Sequence, residues 1–162
     1  MHIAIIFYSF SGNTKKASEF LRDKILQKSH EVDLIELKLK QEETLFLRQC
    51  NAARAHQTPE LANAECDATK YDLVVVASPV WAFTFAPALR TCLKNISGLE
   101  NKKAAAFLTC GAAFTSGKAL KELEKSLREK MADVKFCAYI AGAKTGNPEY
   151  LKSAFKDLFL LV

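Results

Sequence analysis

Five short apolar runs, separated by stretches of helical periodicity, constrain the fold more than any other feature of this sequence. They are Ile3 to Tyr8, Val32 to Leu39, Leu73 to Ser78, Ala104 to Thr109 and Val134 to Ala141. Four are nearly continuous rather than alternating, which suits strands covered by helices on both faces of a sheet. The second contains Asp33 and Glu36 and reads as an edge strand. Between the runs, apolar residues recur at helical spacing: Ala17, Phe20, Leu21 and Ile25; Leu89, Cys92, Leu93 and Ile96; Leu120, Leu123, Leu127 and Met131; and Leu151, Ala154, Phe155, Leu158, Phe159 and Val162. Each set makes one stripe that must be buried against something. Strand and helix therefore alternate five times, which predicts a doubly covered parallel sheet with right-handed crossovers.

Local signals sharpen the helix ends. Asn147 is placed to cap the last helix, with Pro148 at a position where a missing amide proton costs nothing, and Pro87 opens the third helix in the same way. The link from Gln41 to Lys70 has a helix-like part through Leu45, Leu47 and Cys50, then a polar part with no defensible chemistry. At 162 residues, with no repeat or composition break, the chain is expected to form one domain, residues 1–162.

Several function classes drop out early. The opening MHIAIIFYSF lacks the basic region and cleavage site of a signal peptide. No apolar stretch approaches the roughly 20 residues that span a bilayer. A cytoplasmic protein with no membrane partner is expected. The five cysteines (Cys50, Cys66, Cys92, Cys110 and Cys137) never form a CxxC pair, and His2, His30 and His56 lie outside metal-ligand spacing, so neither a disulfide framework nor a metal site is expected. Net charge is +5, with the basic excess after residue 70. That excess suits an acidic partner or substrate. Lysines interleaved with Glu122, Glu124 and Glu129 describe a solvated face, so nucleic acid is not expected to bind.

In an open parallel sheet, ligands bind beyond the carboxyl ends of the strands, where strand order reverses. After the first strand comes Ser9-Phe10-Ser11-Gly12-Asn13-Thr14, running directly into helix. A helix N-terminus offers unpaired amides and partial positive charge to a phosphate, three hydroxyls and an amide side chain add donors, and Gly12 allows close approach. Plain helix capping is the competing reading, but five polar or glycine residues in six positions exceed what one cap needs. The loop matches neither GxxxxGK[ST] nor GxGxxG, which leaves a monophosphate as the simpler guest.

After the third strand, Ser78-Pro79-Val80-Trp81-Ala82-Phe83-Thr84-Phe85-Ala86-Pro87 places three aromatics in a surface loop. A flat aromatic ligand accounts for that exposure; the alternative is that the rings fold back over the sheet end or into an oligomer interface. After the fourth, Cys110-Gly111-Ala112-Ala113-Phe114-Thr115-Ser116-Gly117 brings small residues to the same edge, with Cys110 read as a small apolar residue rather than a redox thiol.

With these loops in place, the sequence resembles the flavodoxin family over its whole length, most specifically in SFSGNT and SPVWAFTFAP. The resemblance implies a flavodoxin-like three-layer α/β sandwich with a five-stranded parallel sheet in the order 2-1-3-4-5. It implies FMN as cofactor. Its phosphate would be held by Ser9, Ser11, Gly12, Asn13 and Thr14; its ring would be bordered by Pro79, Val80, Trp81, Ala82 and Phe83, with Trp81 the nearest neighbour; and the other side would be closed by Cys110, Gly111, Ala112 and Gly117. No residue is expected to act as an acid-base catalyst. The implied role is electron transfer to a redox partner protein or small acceptor, by a monomer or homodimer. An NAD(P)H:quinone or acceptor oxidoreductase is the alternative, and a flavin-binding module without redox turnover is a further one. The chain departs from many flavodoxins in being basic rather than acidic, and in having no glycine in the second loop before Pro87.

Overall fold

The computed structural model describes residues 1–63, 66–111 and 116–162. The five apolar runs form a parallel sheet. Strand β1 (His2–Phe7) pairs with β2 (Glu31–Glu36) on one side and β3 (Leu73–Trp81) on the other; β5 (Lys103–Cys110) pairs with β3, and β6 (Asp133–Ala141) with β5. The spatial order is β2-β1-β3-β5-β6, with a short β4 (Thr84–Phe85) attached antiparallel to the end of β3. Without β4, the order is the expected 2-1-3-4-5.

Alternation along the strands divides the core in two. Ala4, Ile6, Val74, Val76, Ala104, Ala106 and Leu108 face one way, packing on Leu89 and Leu93 of α3 (Pro87–Asn95) and Leu123 and Leu127 of α4 (Ser116–Glu129). Ile3, Ile5, Phe7, Leu73, Val75, Ala77, Ala105 and Phe107 face the other, against Leu21 and Ile25 of α1 (Asn13–Leu26) and Leu151 of α5 (Pro148–Ala154). Helix α2 (Phe46–Arg54) occupies the helix-like part of the unclear link. As read from Asp33 and Glu36, β2 is the half-buried edge strand.

The helix starts agree with their sequence signals. The Asn147 side chain accepts from the Tyr150 amide at 3.1 Å, and Pro148 and Pro87 stand at the openings of α5 and α3. Two boundaries differ. The second run leaves the sheet at Glu36, after which Leu39 bridges Leu61. The last helix stops at Ala154 and is followed by a tighter turn at Leu158–Leu160, while the carbonyls of Phe159 and Val162 accept from Lys28 Nζ at 2.7 and 2.9 Å.

Candidate functional site

The register of the sheet brings three loops to one edge. Phe7 is level with Ala77, Pro79 with Thr109, and Cys110 with Ala141, so the carboxyl ends of β1, β3, β5 and β6 lie side by side. Strand order reverses between β1 and β3, and the crevice sits above that point.

On the first loop, Gly12 takes a left-handed φ of 85°, and a side chain built there would meet nothing within 4 Å. That conformation turns the chain into α1 while keeping one side of the backbone open. Ser9 Oγ accepts from the Lys15 amide at 3.2 Å, so this hydroxyl does cap the helix, whereas Ser11 is exposed. The amides of Ser11, Gly12, Asn13 and Thr14 have no protein partner among the described residues. Asn13 is held from across the crevice, its Oδ1 accepting from Thr145 Oγ1 at 3.2 Å. Thr14 is buried, with its hydroxyl 2.7 Å from that of Thr109. Both capping and amide presentation therefore occur, on different residues of one loop.

The second loop is a hairpin that the sequence did not announce. Val80 pairs with Phe85 and Trp81 with Thr84, leaving Ala82 and Phe83 as a two-residue turn with φ of 48° and 67°. Positive φ at both positions is the pattern of a type I′ turn, here without glycine. Ser78 anchors its base: the fully buried hydroxyl accepts from the Ala86 amide at 2.9 Å.

Pairing across the hairpin corrects the expectation of three exposed aromatics. Trp81 is only 5% exposed and meets Tyr8, Phe10 and Phe46 edge to face, at 5.7, 5.9 and 6.1 Å between ring centres. Phe85 is buried under the Arg90 guanidinium, 4.3 Å from its ring centre. Phe83 alone stands at the tip, 51% exposed. Pro79, Val80 and Ala82 are half-buried beside it.

On the third loop, Cys110 is buried and Gly111 exposed, with open space where its side chain would be. Ala112 lies outside the described residues. Gly117 is in the first turn of α4, exposed and unobstructed. Beneath the crevice, burial and the neighbouring Glu42 push the Tyr8 phenol up to about 12. Tyr8 and Trp81 form one wall of an adjacent cleft of about 840 Å3 that runs under α2.

Sequence reasoning missed Thr109, Thr145 and Phe10. Their signals were present: a hydroxyl ending an apolar strand, another following the last strand, and a large aromatic inside a hydroxyl-rich loop.

A sheet of this order with helices on both faces defines a flavodoxin-like α/β fold, and solved flavoproteins share it over nearly their whole length. The flavoprotein of Lactobacillus acidophilus in complex with FMN superposes with a TM-score of 0.69 at 22% identity, covering 91% of this chain and 98% of that one. Two-electron reduced flavodoxin of Megasphaera elsdenii gives 0.64 at 14% identity, with 96% and 97% covered. Oxidised flavodoxin 2 of Bacillus cereus gives 0.65 at 18% identity, with both chains covered in full. No curated protein matches in sequence. Residues 1–145 match the model of the NADPH-dependent FMN reductase family, and the chain belongs to that family, whose cofactor is FMN. The first loop fits such a group: unpartnered amides, an open glycine face and flanking hydroxyls make the donor set a phosphate monoester needs. No described helix is long and apolar enough to cross a membrane.

Proposed function

We propose that the protein is an FMN-dependent oxidoreductase that is reduced by NADPH and reoxidised by a small acceptor such as a quinone or free flavin. Ser9, Ser11, Gly12, Asn13 and Thr14 hold the phosphate, chiefly through the amides of the α1 N-terminus. Pro79, Val80, Ala82 and Phe83 border the ring, with Trp81 behind them as a rigid support. Cys110, Gly111, Ala112 and Gly117 close the opposite side. Bound FMN supplies the redox chemistry, accepting a hydride and yielding two electrons. The protein's part is position, and no side chain acts as a general acid or base.

The observation that carries this reading is Phe83, a large aromatic left exposed at the tip of a closed hairpin beside the crevice. It offers a second flat ring, nicotinamide or quinone, an apolar surface next to the flavin. Family membership supports the same donor. Transfer of electrons between proteins is the second reading, favoured by exposed Phe10, Leu45, Phe46 and Leu47 along the neighbouring rim, which suit a protein partner. In either case the protein works in the cytoplasm.

Steady-state oxidation of NADPH by the FMN-loaded protein, with a quinone or FMN as acceptor, separates the two. Sustained turnover by the isolated protein supports the reductase. Turnover only on addition of a second redox protein supports the carrier, and absence of flavin binding overturns both.

A further inference from the structure

Behind the Ala82–Phe83 turn lies a second cavity, of about 790 Å3, enclosed by the turn, the end of α2, α3 and α4. Phe83 lines it, so the hairpin tip that borders the proposed flavin site also forms a wall of this cavity. Four permanent cations line it, Arg54, Arg90, Lys118 and Lys125, against two carboxylates, Glu122 and Glu129, with His56 beside them.

The acids of this cavity are already engaged. Arg90 Nη2 donates to Glu122 Oε1 at 2.8 Å and to the Thr84 hydroxyl at 2.7 Å, and Thr84 donates to Glu122 Oε2 at 2.6 Å. His56 Nδ1 lies 3.8 Å from the same carboxylate, and Lys125 is paired with Glu129 at 3.7 Å. Arg54 and Lys118 have no acidic partner among the described residues. The buried Nε–H of Arg90 is also without a protein partner there.

Lys118 is the informative member. It stands in the first turn of α4, which contains no acidic residue. A helix N-terminus carries partial positive charge and stabilises anions, so a lysine there works against the local field. Arg54, by contrast, closes α2 at its C-terminal turn, where a cation is favoured in any case. Arg54 and Lys118, neither with an acidic partner among the described residues, lend this cavity a positive potential that a dianionic group would neutralise.

The geometry points to this cavity as the seat of the adenosine 2′-phosphate of NADPH, with Arg54 and Lys118 as its principal contacts. The inference rests on the reductase reading: nicotinamide lies against Phe83 over the flavin, and the dinucleotide passes around the hairpin tip. It assigns the choice of NADPH over NADH to Arg54 and Lys118. The phosphate monoester carries about two negative charges near neutral pH, which matches two unpaired cations.

The test uses the FMN-loaded protein and 2′,5′-ADP as probe. The wild type should bind 2′,5′-ADP with 1:1 stoichiometry in a calorimetric titration, and Arg54→Gln and Lys118→Gln should each weaken that binding about tenfold. The ratio of kcat/KM for NADPH over NADH should fall by a similar factor in each variant. Lys152→Gln, an equal charge change on exposed α5, should move neither quantity. Failure of the wild type to bind 2′,5′-ADP, or equal effects of the variants on NADPH and NADH, overturns the assignment. Absence of nicotinamide oxidation with 2′,5′-ADP binding intact overturns the reductase reading and leaves the phosphate seat standing.

Discussion

The hydroxyl of Thr14, in the first turn of α1, lies 2.7 Å from the hydroxyl of Thr109 near the end of β5, and both residues are buried. This contact joins the loop that opens α1 to the centre of the sheet across 95 residues of sequence. Replacing one threonine by the isosteric valine strands the other hydroxyl in an apolar setting, which costs about 1–3 kcal/mol. Thr109→Val should therefore lower the free energy of unfolding by that amount, whereas the double variant Thr14→Val/Thr109→Val should recover part of the loss. A double-mutant cycle in chemical denaturation measures both; strict additivity would contradict a direct contact.

Ala82 holds a φ of 48° at the hairpin tip, where glycine is the residue without a steric penalty. Ala82→Gly should raise stability by up to about 1 kcal/mol, as relief of the left-handed strain outweighs the extra freedom glycine has in the unfolded chain. Ala82→Val should lower stability, because a β-branched side chain is worse at positive φ. Equal midpoints for all three proteins in urea would show that the turn is not held as described.

Glu122 links stability to pH. Burial alone would raise its carboxyl, but hydrogen bonds from Thr84 and Arg90, with the charges of Arg90 and His56, hold it below the usual carboxylate range. The unfolded chain therefore takes up this proton at higher pH than the folded one does. The stabilisation is complete above the ordinary glutamate range and is lost as pH falls through the lower folded value. Glu122→Gln should cost about 1–3 kcal/mol near neutrality by weakening the hold on Arg90, and the gap from wild type should narrow on acidification. Stability curves against pH for the two proteins should converge at the acid end; a constant offset would exclude the linkage.

The elements visible in the sequence were those whose cause is local. Continuous apolar runs specified strands covered on both faces, Asp33 and Glu36 marked β2 as the edge, and Asn147, Pro148 and Pro87 set helix starts through their own backbone chemistry. The turn into α1 was legible because its polar residues and Gly12 lie together in sequence, and Gly12 does take the left-handed φ of 85° there. What was hidden depends on distant partners. Trp81 is buried because Phe46, on a helix from an unclear stretch, and Phe10 close around it. The β4 hairpin went unseen because Ala82-Phe83 carries none of the Asn or Gly signal that a type I′ turn normally shows. The last apolar stripe ran to Val162, yet the helix stops at Ala154, and the carbonyls of Phe159 and Val162 accept from Lys28, which lies just past the end of α1 and far away in sequence.

The claim on which the site depends is that the α1 N-terminus grips the phosphate of FMN. Riboflavin has the same ring and lacks that phosphate, and Trp81 is the chain's single tryptophan, so its emission reports flavin arrival without interference. Titrating the flavin-free protein with each compound should show quenching by FMN that saturates at one equivalent, with riboflavin weaker by about 100-fold or more, as expected for several charge-assisted contacts. Equal affinity for the two, or no response to FMN, would contradict it.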